Sequence, residues 1–270
     1  MKQDVFGTKV CGAAHVRTGK ECQDSIKKVF LDNGAVILAA ADGHGSSSCP
    51  FSKSGSVIAV NVFCSIISGI CVSYENDHNR LMTYLNREGS TSVAIAIETE
   101  WKRRVLKVHS NRKREVPLTD DGRKDKNQIY KQYGTTLLGL LVVSEMIFAF
   151  QLGDGDISYV EESGSSPVMD CDKILGVETH SLSRKNAWEK AVTSVRYIHH
   201  DAPYMFMLST DGFSNSFKND AEFRRSCSEY YQTIYKCGIS AVSRNLKGWM
   251  NETSQLGCGD DISVLIAYFS

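Results

Sequence analysis

Six short runs of apolar or alternating residues limit the fold more than any other feature of this sequence. Each run is four to eight residues long, which suits a β-strand better than a helix. We predict strands at residues 35–41, 136–143, 147–152, 157–160, 204–208 and 262–269. The core must therefore be built on sheets.

Two helical regions separate these strands into blocks. The first covers residues 53–104 with a break near residues 73–79, and it is typical of an antiparallel helix pair. The second covers residues 220–255, where apolar side chains recur at helical spacing. Because strands and helices come in blocks, the order favours an α+β domain with packed sheets and helices outside them. One domain is expected for 270 residues.

One stretch, residues 54–74, carries no charge and approaches the roughly 20 apolar residues that cross a bilayer. Its polar residues nevertheless recur on one helical stripe: Ser54, Asn61, Ser65 and Ser68. We therefore predict an amphipathic helix on a protein core, and no membrane partner.

Two segments lack a regular period. Residues 102–131 are polar and predominantly basic, and we predict an exposed basic loop there. Residues 161–201 open with a turn-forming Gly-Ser-Ser-Pro sequence, and we predict a surface flap. The basic segment could instead contact nucleic acid, but it lacks interleaved aromatic residues, so no nucleic-acid partner is expected.

Charge and cysteine content restrict the remaining classes of protein. The 31 basic and 31 acidic residues cancel, so any partner is recognised locally rather than by a strong overall field. Nine scattered cysteines without a Cys-x-x-Cys pair favour reduced thiols. The first 20 residues contain no apolar block typical of a secretory signal. We therefore expect a cytoplasmic protein, and a monomer.

Aspartates stand at the ends of four predicted strands. Asp42-Gly43-His44-Gly45 and Asp211-Gly212 follow two of them, Asp154 follows a third, and Asp260 precedes the last. An Asp-Gly pair alone is typical of a tight turn, and for Asp154 the turn is the favoured interpretation. If the four ends meet at one rim, however, their carboxylates require cations, and oxygen ligands favour Mg²⁺ or Mn²⁺ over zinc.

A metal-binding carboxylate cluster beside a histidine suits the hydrolysis of phosphoesters. Divalent cations lower the pKa of water and offset the charge of the phosphate. The alkoxide that leaves must gain a proton, which an imidazole can supply. His44 is the candidate, and the alternative is a histidine merely exposed on a loop.

The motifs, taken in order, resemble the type 2C metal-dependent protein phosphatases, the PPM family, and in particular its compact bacterial members. They are Gln23-Asp24-Ser25, Asp42-Gly43-His44-Gly45, Gly134-Thr135-Thr136, Gly153-Asp154, Asp211-Gly212 and Asp260-Asp261-Ile262-Ser263-Val264. The resemblance implies a four-layer α/β/β/α sandwich, in which two antiparallel sheets pack face to face with helices on both outer faces. It also implies the hydrolysis of phosphoserine and phosphothreonine in proteins, in opposition to a kinase.

The same resemblance implies two or three Mn²⁺ or Mg²⁺ ions. Asp42 would bridge two of them, and the Gly43 carbonyl and Asp24 would serve the first. Asp211 and Asp260 would serve the second.

The resemblance leaves two points open. Asp154 matches a position that helps to hold a third ion in some bacterial relatives, and residues 161–201 match the variable flap. A catalytically silent phosphoprotein-binding or regulatory module of the same fold is the alternative function, although every matched aspartate is present.

Three positions depart from the family pattern. Gln23 stands where many relatives have glutamate, and Asp261 where they have asparagine. Gly19 stands where many relatives have an arginine that grips the substrate phosphate. The candidates to replace this arginine are Lys20, then Arg17 and His15.

Overall fold

The computed structural model describes residues 2–74, 77–119, 121–169, 179–198 and 202–270. Within these ranges ten strands form two antiparallel sheets of five strands each. The first sheet contains, in spatial order, β1 (Gln3–Val10), β10 (Ile262–Phe269), β9 (Tyr204–Ser209), β6 (Asp156–Glu161) and β7 (Gly164–Pro167). The second contains β2 (Ser25–Phe30), β3 (Val36–Ala41), β4 (Leu137–Val143), β5 (Met146–Leu152) and β8 (Val192–Tyr197).

Helices cover the outer face of each sheet. The second sheet is covered by α2 (Ser52–Ser73), α3 (His78–Glu88) and α4 (Ala94–Asn111), with a π-helical turn between the last two. The first sheet is covered by α7 (Asp220–Cys237), α8 (Ile239–Ser243) and α9 (Leu246–Leu256). Three shorter helices lie in the connections: α1 (Ala13–Thr18), α5 (Lys126–Lys131) and α6 (Asp211–Ser214).

Three apolar clusters hold the layers together. Alternate residues of the strands face opposite sides of a sheet, so each sheet contributes to two clusters. Leu38, Leu140, Phe206 and Leu265 meet between the sheets. Outside the second sheet Phe148 packs with Phe63 and Trp101, and outside the first Met207 packs with Phe223 and Tyr231. The predicted α/β/β/α sandwich and its six predicted strands are confirmed.

Helix α2 is long and apolar enough to cross a membrane, and 56% of its most apolar window is buried inside the protein. Val62, Phe63 and Ile67 belong to the cluster that packs on the second sheet. Cys64 and Cys71 are buried on the same helix as free thiols. The predicted core helix is therefore what the structure contains.

The prediction of a single basic loop at residues 102–131 is wrong. Helix α4 continues to Asn111, and α5 occupies Lys126–Lys131. In α4 the residues Trp101, Val105 and His109 are buried at helical spacing. The basic residues lie between them in sequence, so they form the exposed face of an amphipathic helix. Within the described residues, the part without helix is limited to residues 112–119 and 121–125.

The prediction of a flap at residues 161–201 is wrong near both of its ends. Strand β7 pairs with β6, and β8 pairs with β5, so both sheets extend into this segment. Residues 170–178 and 199–201, also within the predicted flap, lie outside the described residues.

Candidate functional site

The strand register brings the predicted aspartates to one end of the sandwich. In the second sheet Ser25 at the start of β2 pairs with Ala41 at the end of β3. In the first sheet Ser209 at the end of β9 pairs with Val264 near the start of β10. The carboxylates that meet there influence one another electrostatically: Asp24, Asp42, Asp154, Asp211 and Asp260.

The backbone of Asp42 is clamped by the two threonines at the entry to β4. The Asp42 N–H donates to Thr136 Oγ1 at 2.9 Å, and its carbonyl accepts from the Thr136 N–H at 2.9 Å. Thr135 Oγ1 donates to the same carbonyl at 2.7 Å. The His44 N–H donates to the Gly134 carbonyl at 3.1 Å. The Gly-Thr-Thr motif therefore fixes the Asp42 loop.

Gly43 is required by close packing at this loop. A Cβ atom there would lie 2.7 Å from the Gln23 carbonyl oxygen and 2.9 Å from the Ser52 carbonyl. Any side chain at Gly43 would push the loop away from Gln23. The loop would then also move away from Asp24, which follows Gln23.

Asp24 is fully buried, and only one of its two carboxylate oxygens accepts a hydrogen bond from the described residues. Its Oδ2 accepts from Thr210 Oγ1 at 2.8 Å, whereas Oδ1 has no hydrogen-bond partner among the described residues. Thr210 Oγ1 also accepts from the Ser263 N–H at 2.9 Å, so this hydroxyl joins the two sheets at the site. Burial raises the pKa of Asp24 to about 6, although the hydrogen bond from Thr210 opposes the shift.

The environment also raises the pKa values of two other carboxylates in the cluster, those of Asp42 and Asp211. Burial raises the pKa of Asp42 well above its ordinary value, and Asp24, Asp211 and Asp260 raise it further. Burial, then Asp154 and Asp260, raise the pKa of Asp211 to about 7. No ion pair within the described part of the chain offers these five carboxylates a cation.

The site therefore fits divalent cations. A partnerless oxygen on a fully buried carboxylate costs free energy unless a cation or a proton satisfies it. The clustered donors are carboxylate and carbonyl oxygens, which suit Mg²⁺ and Mn²⁺. Asp24, Asp42, Asp211, Asp260 and the Gly43 carbonyl could hold such ions, as could Asp154.

The structure excludes a hairpin turn at Asp154. Strand β5 belongs to the second sheet and β6 to the first, so Asp154 lies in the crossover between them. The hydroxyl of Thr179 donates to Asp154 Oδ2 at 2.6 Å and orients the carboxylate. The interpretation of Asp154-Gly155 as a tight turn is therefore wrong.

A cleft of about 840 Å³ opens beside the aspartates. His44 lines it, two residues after Asp42, together with the loop that follows β3. The other walls are α5 and residues 179–185. The cleft thus adjoins the aspartate site through His44 and through Thr179, which donates to Asp154.

Two of the three candidates for binding phosphate lie near this loop. Lys20 Nζ donates to the Gly45 carbonyl at 3.0 Å. His15 Nε2 also lies beside Gly45, while Arg17 extends beside Gly259. The sequence does not distinguish these positions, because all three residues belong to α1 or its end.

Gly19 caps the C-terminus of α1 in the left-handed conformation, with φ = 69°. An arginine there would be strained. The departure from the family pattern at this position therefore has a local conformational reason.

Two residues that hold the site together were missed by the sequence analysis. Thr210 orients Asp24, and Asp261 accepts from the backbone N–H groups of Gly12 and Gln23, each at 2.7 Å. Asp261 also lies 2.9 Å from His15 Nδ1. The only signal was their position next to Asp211 and Asp260 in the motifs.

Comparisons with known proteins identify the family and the fold. Residues 11–251 match the protein phosphatase 2C family. A serine/threonine phosphatase of S. agalactiae is similar in structure, with a TM-score of 0.60 and 15% identity over all of both chains. The PstP catalytic domain, solved with two manganese ions, has a TM-score of 0.60 and 12% identity over 99% of each chain.

RsbX, solved with magnesium, has a TM-score of 0.54 and 16% identity, covering 99% of this chain and 96% of its own. No curated protein sequence matches. The structural neighbours support the fold, and the family match covers most of the chain. The chain belongs to the protein phosphatase 2C family.

Proposed function

We propose that this chain hydrolyses phosphoserine and phosphothreonine in proteins, with Mn²⁺ or Mg²⁺ held by the aspartate cluster. The observation that carries the proposal is the convergence of five aspartates, among them Asp24, a fully buried carboxylate with a partnerless oxygen. The manganese in PstP and the magnesium in RsbX support the choice of ions. The family match supports a protein phosphatase.

Each aspartate has a proposed role at the site. Asp42 would serve both ions, since Asp24, Asp211 and Asp260 all act on its carboxylate electrostatically. The Gly43 carbonyl joins Asp24, and Asp154 is available to a third ion. When bound, these ions lower the pKa of water and offset the charge that develops on the phosphate.

His44 donates a proton to the serine or threonine oxygen that leaves. Its backbone is fixed by the bond to Gly134, and its side chain lines the cleft. Lys20 is the first candidate to bind the outer phosphate oxygens, before Arg17 and His15. Phosphoproteins opposed to a kinase, a monomeric state and the cytoplasm belong to the same proposal.

The test measures hydrolysis of a phosphothreonine peptide with Mn²⁺ and with EDTA. Asp42→Asn and Asp211→Asn should each lower kcat/KM by several orders of magnitude, because each removes a charge that the ions need. The matched control is Asp32→Asn, which changes an exposed carboxylate in the turn between β2 and β3.

Equal turnover in EDTA, or in Asp42→Asn, would overturn the proposal. The alternative, a silent module that binds phosphoproteins, predicts that a phosphopeptide binds to the wild-type protein without release of phosphate. Thermal unfolding of each variant shows whether the protein has kept its fold.

A further inference from the structure

The cleft that His44 lines carries a charge opposite to that of the aspartate site. None of its lining residues that the structure describes is acidic, whereas Lys131, Arg184 and Lys185 are basic. Most of the others present hydroxyl or amide groups, among them Ser46, Ser48, Asn127, Gln128, Thr179 and Ser183. The surface is therefore suited to an anion rather than to an apolar ligand.

One wall of the cleft is hydrogen-bonded to Thr135, which lies just before β4 and also bonds to Asp42. The Thr135 N–H donates to Ser181 Oγ at 3.1 Å, and the Leu182 N–H donates to the Thr135 carbonyl at 3.0 Å. Thr135 also clamps the Asp42 carbonyl. The position of this wall relative to the aspartates is thus set by hydrogen bonds through one residue.

The outer part of the same wall is tied to α4. Lys102 Nζ donates to the Arg184 carbonyl at 2.8 Å, and the Trp188 N–H donates to Glu98 Oε2 at 2.8 Å. Lys185 lies between these two anchors. It is therefore carried on a fixed turn rather than on a free loop.

The opposite wall is the short helix α5. Asp125 caps its N-terminus by accepting from two backbone N–H groups, and Ile129 is buried against the core. Lys131 is its last residue and is exposed. No carboxylate in the described ranges forms an ion pair with Lys131 or Lys185, so both ammonium groups can bind a ligand.

Two lining residues connect the cleft directly to the site. His44 follows Asp42 by two residues, and Thr179 donates to Asp154. A peptide whose phosphorylated side chain lies at the aspartates and whose flanking residues occupy the cleft shares it with Lys131 and Lys185. Because the whole chain has no net charge, this recognition is local.

We propose that this cleft binds anionic groups that flank the phosphorylated residue, so that acidic or multiply phosphorylated segments are the preferred substrates. The proposal rests on the phosphatase function proposed above. Carboxylates and a second phosphate offer the same chemistry, charge-assisted hydrogen bonds to lysine.

The experiment compares phosphothreonine peptides that differ only in the flanking residues: asparagine, aspartate, or a non-hydrolysable phosphonate analogue of phosphoserine. The wild-type KM for the asparagine peptide should be about tenfold higher than for the aspartate peptide, as expected for two exposed ion pairs. In Lys131→Ser/Lys185→Ser this ratio should fall to about one. The phosphonate arm shows whether phosphate is preferred to carboxylate.

The matched control is Lys236→Ser/Lys247→Ser, which removes the same charge from exposed positions on α7 and α9. It should keep the tenfold ratio. Added salt should lower the wild-type ratio, because exposed charges are screened. An equal ratio in the cleft variant and the wild-type protein, or a wild-type ratio of one, would overturn the proposal.

A binding measurement separates this proposal from the phosphatase function. A fluorescent peptide rich in aspartate, without phosphate, should bind the wild-type protein about tenfold more tightly than Lys131→Ser/Lys185→Ser at low salt. If no peptide is hydrolysed but this difference is present, the phosphatase function fails and the anion-binding cleft stands. Equal dissociation constants would exclude the cleft even if hydrolysis is observed.

Discussion

Asp261, just before β10, connects α1 and the residues before β2 through one side chain. Its Oδ1 accepts from the Gly12 N–H and lies 2.9 Å from His15 Nδ1, and its Oδ2 accepts from the Gln23 N–H. Gln23 directly precedes Asp24, so Asp261 also positions the start of β2. Both oxygens are used as acceptors, which a carboxylate provides and an amide does not.

The first prediction concerns the side chain of Asp261. In Asp261→Asn the amide NH₂ would face a backbone N–H, and a buried donor would lose its acceptor. The free energy of unfolding should fall by about 1–3 kcal/mol. Denaturant unfolding without metal measures it, with Asp32→Asn as the control. An unchanged midpoint would show that the amide finds other partners.

The second prediction concerns His44 as a proton donor. His44→Ala should slow hydrolysis of a phosphothreonine peptide about 10²-fold, because the alkoxide must be protonated as it leaves. It should affect p-nitrophenyl phosphate much less, since nitrophenolate leaves without a proton. Kinetics on both substrates provide the check. Equal losses would indicate that His44 is only structural.

At the scale of elements, the four strands that the sequence analysis missed are the four sheet edges: β1, β2, β7 and β8. Their residues are mostly half-buried or exposed, whereas every residue of β3, β4, β5, β9 and β10 is buried. Edge strands carry polar and charged residues that prevent further pairing, so they lack the apolar run of a central strand. β2 nevertheless brings Asp24 to the site.

The third prediction concerns the contact between the two sheets at the site. Thr210→Val removes the donor to Asp24 and the acceptor of the Ser263 N–H, with little change in shape. The protein should lose about 1–3 kcal/mol of stability, because a buried N–H is left without an acceptor. Thermal and denaturant unfolding measure the loss.

The control is Thr83→Val on the exposed face of α3, whose hydroxyl bonds only within its own helix. Its effect should be small. Equal stability of both variants would mean that water replaces the Thr210 hydroxyl.

At the scale of the whole molecule, charge is balanced in sum but not in space. The 31 basic and 31 acidic residues cancel, yet five aspartates converge at one end of the sandwich. Without metal, the folded protein must retain protons on this cluster that the unfolded chain would release.

The fourth prediction is a dependence of stability on pH. The folded pKa values of Asp24, about 6, and Asp211, about 7, exceed the ordinary value of 3.8. The folded state therefore binds more protons between these values, and the metal-free protein should lose stability as pH rises from about 4 to about 7. Added Mn²⁺ should raise Tm more at pH 7.5 than at pH 5.

Thermal unfolding with EDTA and with Mn²⁺ at several pH values measures this dependence. Asp211→Asn should flatten the metal-free curve, because it removes one of the carboxylates with a raised pKa. A metal-free Tm that stays constant or rises between pH 5 and 7.5 would contradict the prediction.

The sequence by itself determined the central strands and the aspartates of the site. Strands buried on both faces require continuous apolar runs, and residues 35–41 and 262–269 show them directly. Four of the aspartates, Asp42, Asp154, Asp211 and Asp260, stand beside such runs, so their positions could be read locally. Asp24 precedes the edge strand β2, and only the family resemblance indicated it. The predicted helical region ended at residue 104, too early for α4, because the basic residues of its exposed face obscure the period of the buried residues around Trp101.

Only the tertiary structure decided which distant residues meet. Asp261 bonds to residues 238 to 249 positions away, and Thr210 bonds to Asp24 across 186 positions. The crossover at Asp154 and the basic cleft also depend on how the two sheets and α5 are packed. A local pattern records the burial of each strand, whereas contacts between strands far apart in the chain are set by the packing of the two sheets.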